Sequence, residues 1–140
     1  MKVFTSKTTK DTALLAKTIA KELKGGDCLG LIGNLGTGKT TLTQSIGKAL
    51  GIKQAMSSPT FVLMKIYPVN KKGINQLCHI DAYRLTSMAD LEAIGAKDYI
   101  GDPKTVTIIE WADKVVKLLP VSSKIIKISH NNGTRIFELP

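Results

Sequence analysis

One segment of the chain has the composition of a phosphate-binding loop. Residues 33–40 read Gly-Asn-Leu-Gly-Thr-Gly-Lys-Thr and fit the pattern G-x-x-x-x-G-K-[ST] at every fixed position. Gly33 and Gly38 allow backbone angles that a side chain would forbid, so the loop N–H groups can converge on a phosphate at the positive end of the following helix. In this pattern Lys39 reaches the β- and γ-phosphates and Thr40 places its hydroxyl on Mg²⁺.

The surroundings of this segment are those that a P-loop requires. A compact apolar strand is predicted over 28–32 and a helix over 39–50, so the segment joins a strand to a helix. A glycine-rich turn with a solvated lysine is the alternative interpretation. The residues predicted to bind a nucleotide are Gly33, Asn34, Leu35, Gly36, Thr37, Gly38, Lys39, Thr40 and Thr41.

Two further apolar runs end in an acidic residue. Asp81 follows the run 77–80, and Glu110 follows the run 106–109. The carboxyl ends of parallel strands line one crevice, so both carboxylates are predicted to lie near the loop. There they would hold Mg²⁺ together with Thr40 and orient a nucleophile. For either acid alone, capping a helix or a turn is the alternative role.

Other polar and aromatic residues have two possible roles each. Ser58 and Thr60, in a loop after the P-loop helix, form either a switch-like segment near the metal and γ-phosphate or a plain turn. Arg84 either stabilises transferring phosphate charge or pairs with a helix acid. Trp111 is either a core aromatic or a lid over the site.

The elements that must position these residues are predicted from periodicity and turn chemistry. We expect a short edge strand at 2–5, a helix at 11–24 capped by Thr8 and Asp11, and a helix of about ten residues after Ser87. A short helix is expected at 112–119 and another strand at 105–109. Two hairpins, 61–69 with 74–80 and 124–129 with 134–139, have good turn sequences.

Together these elements predict an α/β, P-loop NTPase-like fold. The strand–loop–helix unit favours parallel pairing, whereas the two hairpins add antiparallel strands. We therefore expect a mixed β-sheet with helices on both faces, forming a single P-loop nucleotide-binding domain over residues 1–140.

Composition sets the broad class. With 43% hydrophobic and 22% charged residues the chain is ordinary for a globular protein. No uncharged run approaches the roughly 20 residues of a membrane-spanning helix, and lysines interrupt the N-terminal region, so a cytoplasmic location is expected.

Cys28 and Cys78 are expected as buried, reduced thiols, and the two histidines are too scattered to suggest a metal site.

The net charge of +9 lies entirely in residues 1–80. This excess is compatible with a solvated basic surface or with an anionic partner. There is no RNA-reading motif, and aromatic residues make up only 5% of the chain. Direct recognition of RNA is therefore not indicated by the residues.

Several motifs taken in order resemble the TsaE (YjeE) family of bacterial P-loop ATPases, which are needed for the threonylcarbamoyl modification of adenosine 37 in tRNA. The motifs are residues 33–41, Ser-Pro-Thr-Phe at 58–61, His-Ile-Asp-Ala-Tyr-Arg-Leu at 79–85, residues 88–95 and Glu-Trp at 110–111. The resemblance extends from about residue 8 to the end of the chain.

The resemblance implies roles, a cofactor pair and partners. Lys39 and Thr40 would bind phosphate and Mg²⁺, Asp81 and Glu110 would act at the metal and the attacking water, and Trp111 would lie at the same site. ATP would be hydrolysed in complex with the TsaB and TsaD proteins, and tRNA would be met only through that complex. Two residues depart from the family pattern: Asn34 stands where the family usually has an acid, and Thr37 where it often has Ala. No charge can therefore act at position 34. Phosphate binding is unaffected, because the backbone performs it.

Two other functions are compatible with the same loop. A small-molecule kinase is the first, and the short chain with two arginines disfavours it. A Ras-like guanine-binding protein is disfavoured as well, because the chain has no N-K-x-D motif. A nucleotide-gated interaction module, in which hydrolysis is incidental, is the other alternative. Few arginines and a short chain also predict an incomplete lid, hence slow hydrolysis alone and faster hydrolysis in a complex.

Overall fold

The structure, a computed structural model, describes residues 1–140 and contains one seven-stranded sheet. The strands and helices in chain order are β1 (Lys2–Ser6), α1 (Thr9–Glu22), β2 (Cys28–Ile32), α2 (Lys39–Ala49), β3 (Met64–Lys71), β4 (Ile74–Asp81), α3 (Met88–Ala93), β5 (Thr105–Glu110), β6 (Lys124–Asn131) and β7 (Thr134–Leu139). Single 3₁₀ turns lie at Ala96–Asp98, Ala112–Lys114 and Val116–Leu118.

The sheet is mixed, as predicted. Its order is β1-β7-β6-β2-β5-β4-β3, in which β6, β2, β5 and β4 are parallel neighbours. The antiparallel strands are the two hairpin additions, β3 beside β4 and β7 beside β6, with β1 at the far edge beside β7. β2 lies at the centre and is almost wholly buried, which explains its uninterrupted apolar sequence.

Helices cover both faces of the sheet, also as predicted. α1 and α2 pack over one face, around a cluster that includes Leu31, Ile46 and Ile108. On the opposite face α3 and the 3₁₀ turns cover a smaller cluster that includes Ile80 and Ile109. Neighbouring residues of β5 thus point to opposite cores, as the two-residue period of a strand requires.

The N-terminal cap of α1 is the predicted one. The Thr8 hydroxyl accepts a hydrogen bond from the Asp11 backbone N–H, and the Asp11 carboxylate accepts one from the Thr8 N–H. These bonds satisfy backbone donors that have no partner within the helix. The Lys7 backbone N–H also donates to the Asp11 carboxylate, and this bond, together with the one from Thr8, holds the Asp11 pKa below its usual value. The helix ends at Glu22, two residues before the predicted end, because Leu23 is extended.

Three predicted elements differ in the structure. The single helix expected at 112–119 is wrong: two 3₁₀ turns meet at Val115, whose φ of −133° lies outside the helical range. The helix after Ser87 is six residues long, because Gly95 adopts a left-handed φ of +82°. The strand predicted from residue 61 begins at Met64, since Leu63 has a φ of +67°.

Both cysteines are buried and free, as predicted. Cys28 and Cys78 flank Thr107 on neighbouring strands and lie in the smaller cluster. Burial raises the pKa of the Cys28 thiol and raises that of Cys78 to about 12, so both remain protonated at neutral pH. None of the helices has the length and apolar character needed to cross a bilayer.

Candidate nucleotide-binding site

The loop between β2 and α2 is shaped by two glycines that no other residue could replace without strain. A Cβ on Gly33 would lie 2.5 Å from the Thr37 hydroxyl and 2.7 Å from the Ile128 carbonyl oxygen. Gly38 has a left-handed φ of +106° and precedes the first residue of α2. The loop therefore turns tightly and enters the helix as a phosphate cradle requires.

The Lys39 side chain lies along the inside of this loop and is only 4% exposed. Its ammonium donates hydrogen bonds to the carbonyl oxygens of Gly33 (2.6 Å) and Asn34 (2.8 Å). Burial lowers the Lys39 pKa, and the carboxylates of Glu110, Asp113 and Asp81 act in the opposite direction. One cation is thus held at the point where the loop would receive a phosphate.

The carboxyl ends of β4 and β5 bring the two predicted acids to the same place. Asp81 and Glu110 are directly paired across these parallel strands. The Thr40 hydroxyl at the start of α2 donates a 2.8 Å hydrogen bond to Glu110 Oε1. Asp81 and Glu110 are both buried, with 6% and 4% exposure. The hydroxyl predicted to bind Mg²⁺ and a strand-end carboxylate are therefore in direct contact.

His79 is a member of the site that the sequence analysis did not single out. It is fully buried in β4, and its Nε2 donates to Glu110 Oε2 at 2.5 Å, while Nδ1 is buried without a hydrogen-bond partner. Each oxygen of Glu110 thus accepts one hydrogen bond, from Thr40 and from His79. The sequence contained an indication of this role. Residues 79 and 81 are two positions apart in one strand, so His79 lies on the same face as Asp81.

We predict that His79 positions the Glu110 carboxylate. His79→Ala removes the Nε2 donor and should lower the nucleotide hydrolysis predicted for this site about 10- to 100-fold, the usual effect of losing such a supporting hydrogen bond. His79→Gln offers an amide N–H at a similar reach and should restore most of the rate. The rate of phosphate release and its pH profile measure this, with His130→Ala as the control, since His130 is exposed at the end of β6.

Trp111 forms one wall of the site. Its backbone is left-handed, with a φ of +59°, and its ring lies 4.1 Å from the Lys39 ammonium, measured to the ring centroid. The Tyr83 ring packs against it at a centroid distance of 4.8 Å. Trp111 therefore faces the loop lysine in a cation–π contact, and it is also partly buried against the smaller core.

These groups surround a cleft of about 500 Å³, a usual size for a small-ligand site. All the residues predicted for the site line this cleft except Gly33, Asn34 and Thr37. The Ser58 and Thr60 hydroxyls are 2.6 Å apart at its rim, and Arg84 lies there exposed and without an ion-pair partner. Leu63, Tyr83 and Arg135 also line the cleft and were not predicted.

The donor set fits Mg²⁺ bound together with phosphate. The side chains of the chain form no group of three or more His, Cys, Asp and Glu residues placed to hold a metal. At the cleft, the available ligands are the Thr40 hydroxyl and the carboxylates of Glu110 and Asp81. Mg²⁺ is commonly held by one or two protein oxygens together with substrate phosphates and water, and this set of oxygens suits that mode.

Comparison with known proteins gives an independent result. The model of the family described as "Threonylcarbamoyl adenosine biosynthesis protein TsaE" matches residues 6–137. A Streptomyces coelicolor protein named tRNA threonylcarbamoyladenosine biosynthesis protein TsaE is 40% identical over 106 residues, which are 75% of this chain and 70% of that protein. The protein of the same name from Bacillus subtilis is 37% identical over 79% of this chain and 66% of its own length.

A solved structure shares the fold. The crystal structure of Bacillus subtilis YdiB aligns with a TM-score of 0.73 and 28% sequence identity, covering 97% of this chain and 82% of that one. The mixed seven-stranded sheet described above is therefore an arrangement that a related protein also has.

Proposed function

The chain belongs to the TsaE family, and on that premise we propose that it is an ATP-binding and ATP-hydrolysing protein required for threonylcarbamoyl modification of adenosine 37 in tRNA. It acts with TsaB and TsaD, and it does not itself transfer the carbamoyl group. The relatives carry the pathway in their names. The observation that carries the ATPase proposal is the 2.8 Å hydrogen bond between Thr40 of the P-loop helix and Glu110.

The geometry supports a division of labour within the cleft. Lys39 and the loop N–H groups bind the phosphates. Glu110, held between Thr40 and His79, accepts a proton from the attacking water as general base. Asp81, paired beside Glu110 at the strand ends, adds a second oxygen ligand. Mg²⁺, when bound, neutralises charge on the β- and γ-phosphates.

Hydrolysis also requires that bulk water be excluded around the γ-phosphate. In the chain by itself, the rim of the cleft is open to solvent. Leu35, which is part of the loop and lines the cleft, and Phe61, which follows the cleft residue Thr60, are each 89% exposed. Exposed apolar residues around a polar site are typical of surfaces that a partner covers. We propose that the TsaB–TsaD complex covers this rim and excludes bulk water.

We predict that hydrolysis by the isolated chain is slow and rises at least about tenfold when TsaB and TsaD are added, an effect within the range of removing bulk water and completing the charge-stabilising groups. Phe61→Ser should reduce this activation and leave the rate of the isolated chain unchanged, because Phe61 does not line the cleft. Val121→Ser is the matched control, since Val121 is fully exposed and outside the cleft.

The measurement is phosphate release from ATP, alone and with the partners. Equal rates in the two conditions would contradict partner dependence. Phosphate transferred to a metabolite rather than to water would replace the ATPase proposal with a kinase. Pull-down of TsaB and TsaD in ATP, in ADP and without nucleotide reports whether the nucleotide controls the association.

A further inference from the structure

Arg135 has no part in the proposed binding of phosphate and metal. It lies in β7 and lines the cleft. A Cβ built on Gly38 would lie 3.1 Å from Arg135 Nε and 3.4 Å from its Cζ, so the guanidinium packs directly against the last glycine of the loop. The absence of a side chain at Gly38 is what makes room for it.

This guanidinium has no partner within the chain. Its Nε is buried and has no hydrogen-bond acceptor, and none of the three ion pairs includes Arg135. A buried donor without an acceptor is costly and uncommon. A planar, weakly hydrated cation left without a carboxylate in a ligand cleft is a group available to the ligand.

The strand order indicates which part of the ligand Arg135 meets. β2, which leads into the loop, lies between β5 on one side and β6 and β7 on the other. Glu110 and Asp81, the proposed partners of the metal and γ-phosphate, end β5 and β4. Arg135 lies at the opposite side of the loop. A nucleotide with its terminal phosphate toward Glu110 therefore extends its nucleoside toward Arg135.

We infer that Arg135 holds the nucleoside half of the nucleotide, with its guanidinium against the face of the purine ring, an inference that rests on the proposed nucleotide-binding function. Arginine both stacks its flat guanidinium on an aromatic face and makes a cation–π contact with it, whereas the compact ammonium of lysine makes only the cation–π contact. Phosphate recognition remains with the loop and Lys39. Arg135 is then a determinant of the affinity for nucleotides over inorganic phosphates.

The test compares a nucleotide with the matching phosphate chain. Binding of Mg-ADP and of Mg-pyrophosphate is measured by calorimetry for the wild type, Arg135→Met and Arg135→Lys. Arg135→Met should weaken ADP binding about five- to tenfold, the scale of one cation–π contact, and leave pyrophosphate binding unchanged. Arg135→Lys should recover only part of the lost ADP affinity, because an ammonium can make a cation–π contact but cannot stack as a plane.

Two controls separate this role from the alternatives. Lys127→Met removes one charge from β6 at a residue outside the cleft and should change neither affinity. Lys39→Met should weaken both ligands, which shows that pyrophosphate is bound by the loop.

Three results would overturn the inference. If Arg135→Met weakened pyrophosphate as much as ADP, Arg135 would only support the loop. If Arg135→Lys kept full ADP affinity, a positive charge rather than a stacked plane would account for the role of Arg135. If Arg135→Met bound ADP like the wild type, Arg135 would not meet the nucleoside. A wild type that bound neither ligand would instead refute the proposed function, and this inference with it.

Discussion

Glu110→Gln should bind ATP about as well as the wild type and hydrolyse it about 100- to 10,000-fold more slowly, the range attributed to a general base. The substitution keeps the size of the side chain and removes its ability to accept a proton. In the structure each Glu110 oxygen accepts one hydrogen bond, from Thr40 at 2.8 Å and from His79 at 2.5 Å. The carboxylate is thus fixed beside the P-loop helix rather than free to move.

Single-turnover phosphate release and equilibrium binding of a non-hydrolysable ATP analogue measure the two parts of this prediction separately. Glu92→Gln is the matched control, because Glu92 is an exposed residue of α3 that lies outside the cleft. A Glu110→Gln variant that kept more than about a tenth of the wild-type rate would remove Glu110 from the role of general base.

Lys39→Met should lower nucleotide affinity by about 30-fold or more. Truncating one member of a buried, hydrogen-bonded charge contact costs about 2–5 kcal/mol, and each 1.4 kcal/mol corresponds to tenfold in affinity. The Lys39 ammonium is buried, lies 4.1 Å from the Trp111 ring centroid and is held by loop carbonyl oxygens. It is therefore already placed for phosphate, and no other lysine lines the cleft.

Lys48→Met, in the last turn of the same helix, provides the control for the Lys39 variant. Lys48 is exposed and does not line the cleft, so its removal should leave binding unchanged. Calorimetry with Mg-ADP measures both variants, and thermal unfolding shows whether either loses its fold. Full affinity in a folded Lys39→Met protein would mean that this loop does not bind the phosphates.

Local sequence patterns were enough to predict most of the fold. The strand, loop and helix around the P-loop follow from an apolar run, fixed glycines and a helical period, all within about twenty residues, and β2 and the start of α2 lie where they were predicted. The failures are also local. Val115 and Leu63 adopt backbone angles that periodicity does not report, so a helix became two turns and a strand began late.

The site was harder to predict where it depends on contacts between distant segments. His79 and Glu110 are 31 residues apart and meet only through the register of β4 and β5. Arg135 reaches Gly38 because β7 lies two strands from β2, an order that the hairpin sequence does not determine. The residues that carry a motif were therefore predictable, whereas those that support it from other strands required the structure.

The most direct test of the proposed function counts modified adenosines per TsaB–TsaD complex. With tRNA, ATP and the threonylcarbamoyl donor in excess, we predict many modifications per complex with the wild-type chain and about one with Glu110→Gln, since hydrolysis is proposed to permit repeated rounds. The variant must still bind ATP for this comparison to hold. Repeated rounds at the wild-type rate with Glu110→Gln would contradict the account and leave ATP binding alone as the function of this cleft.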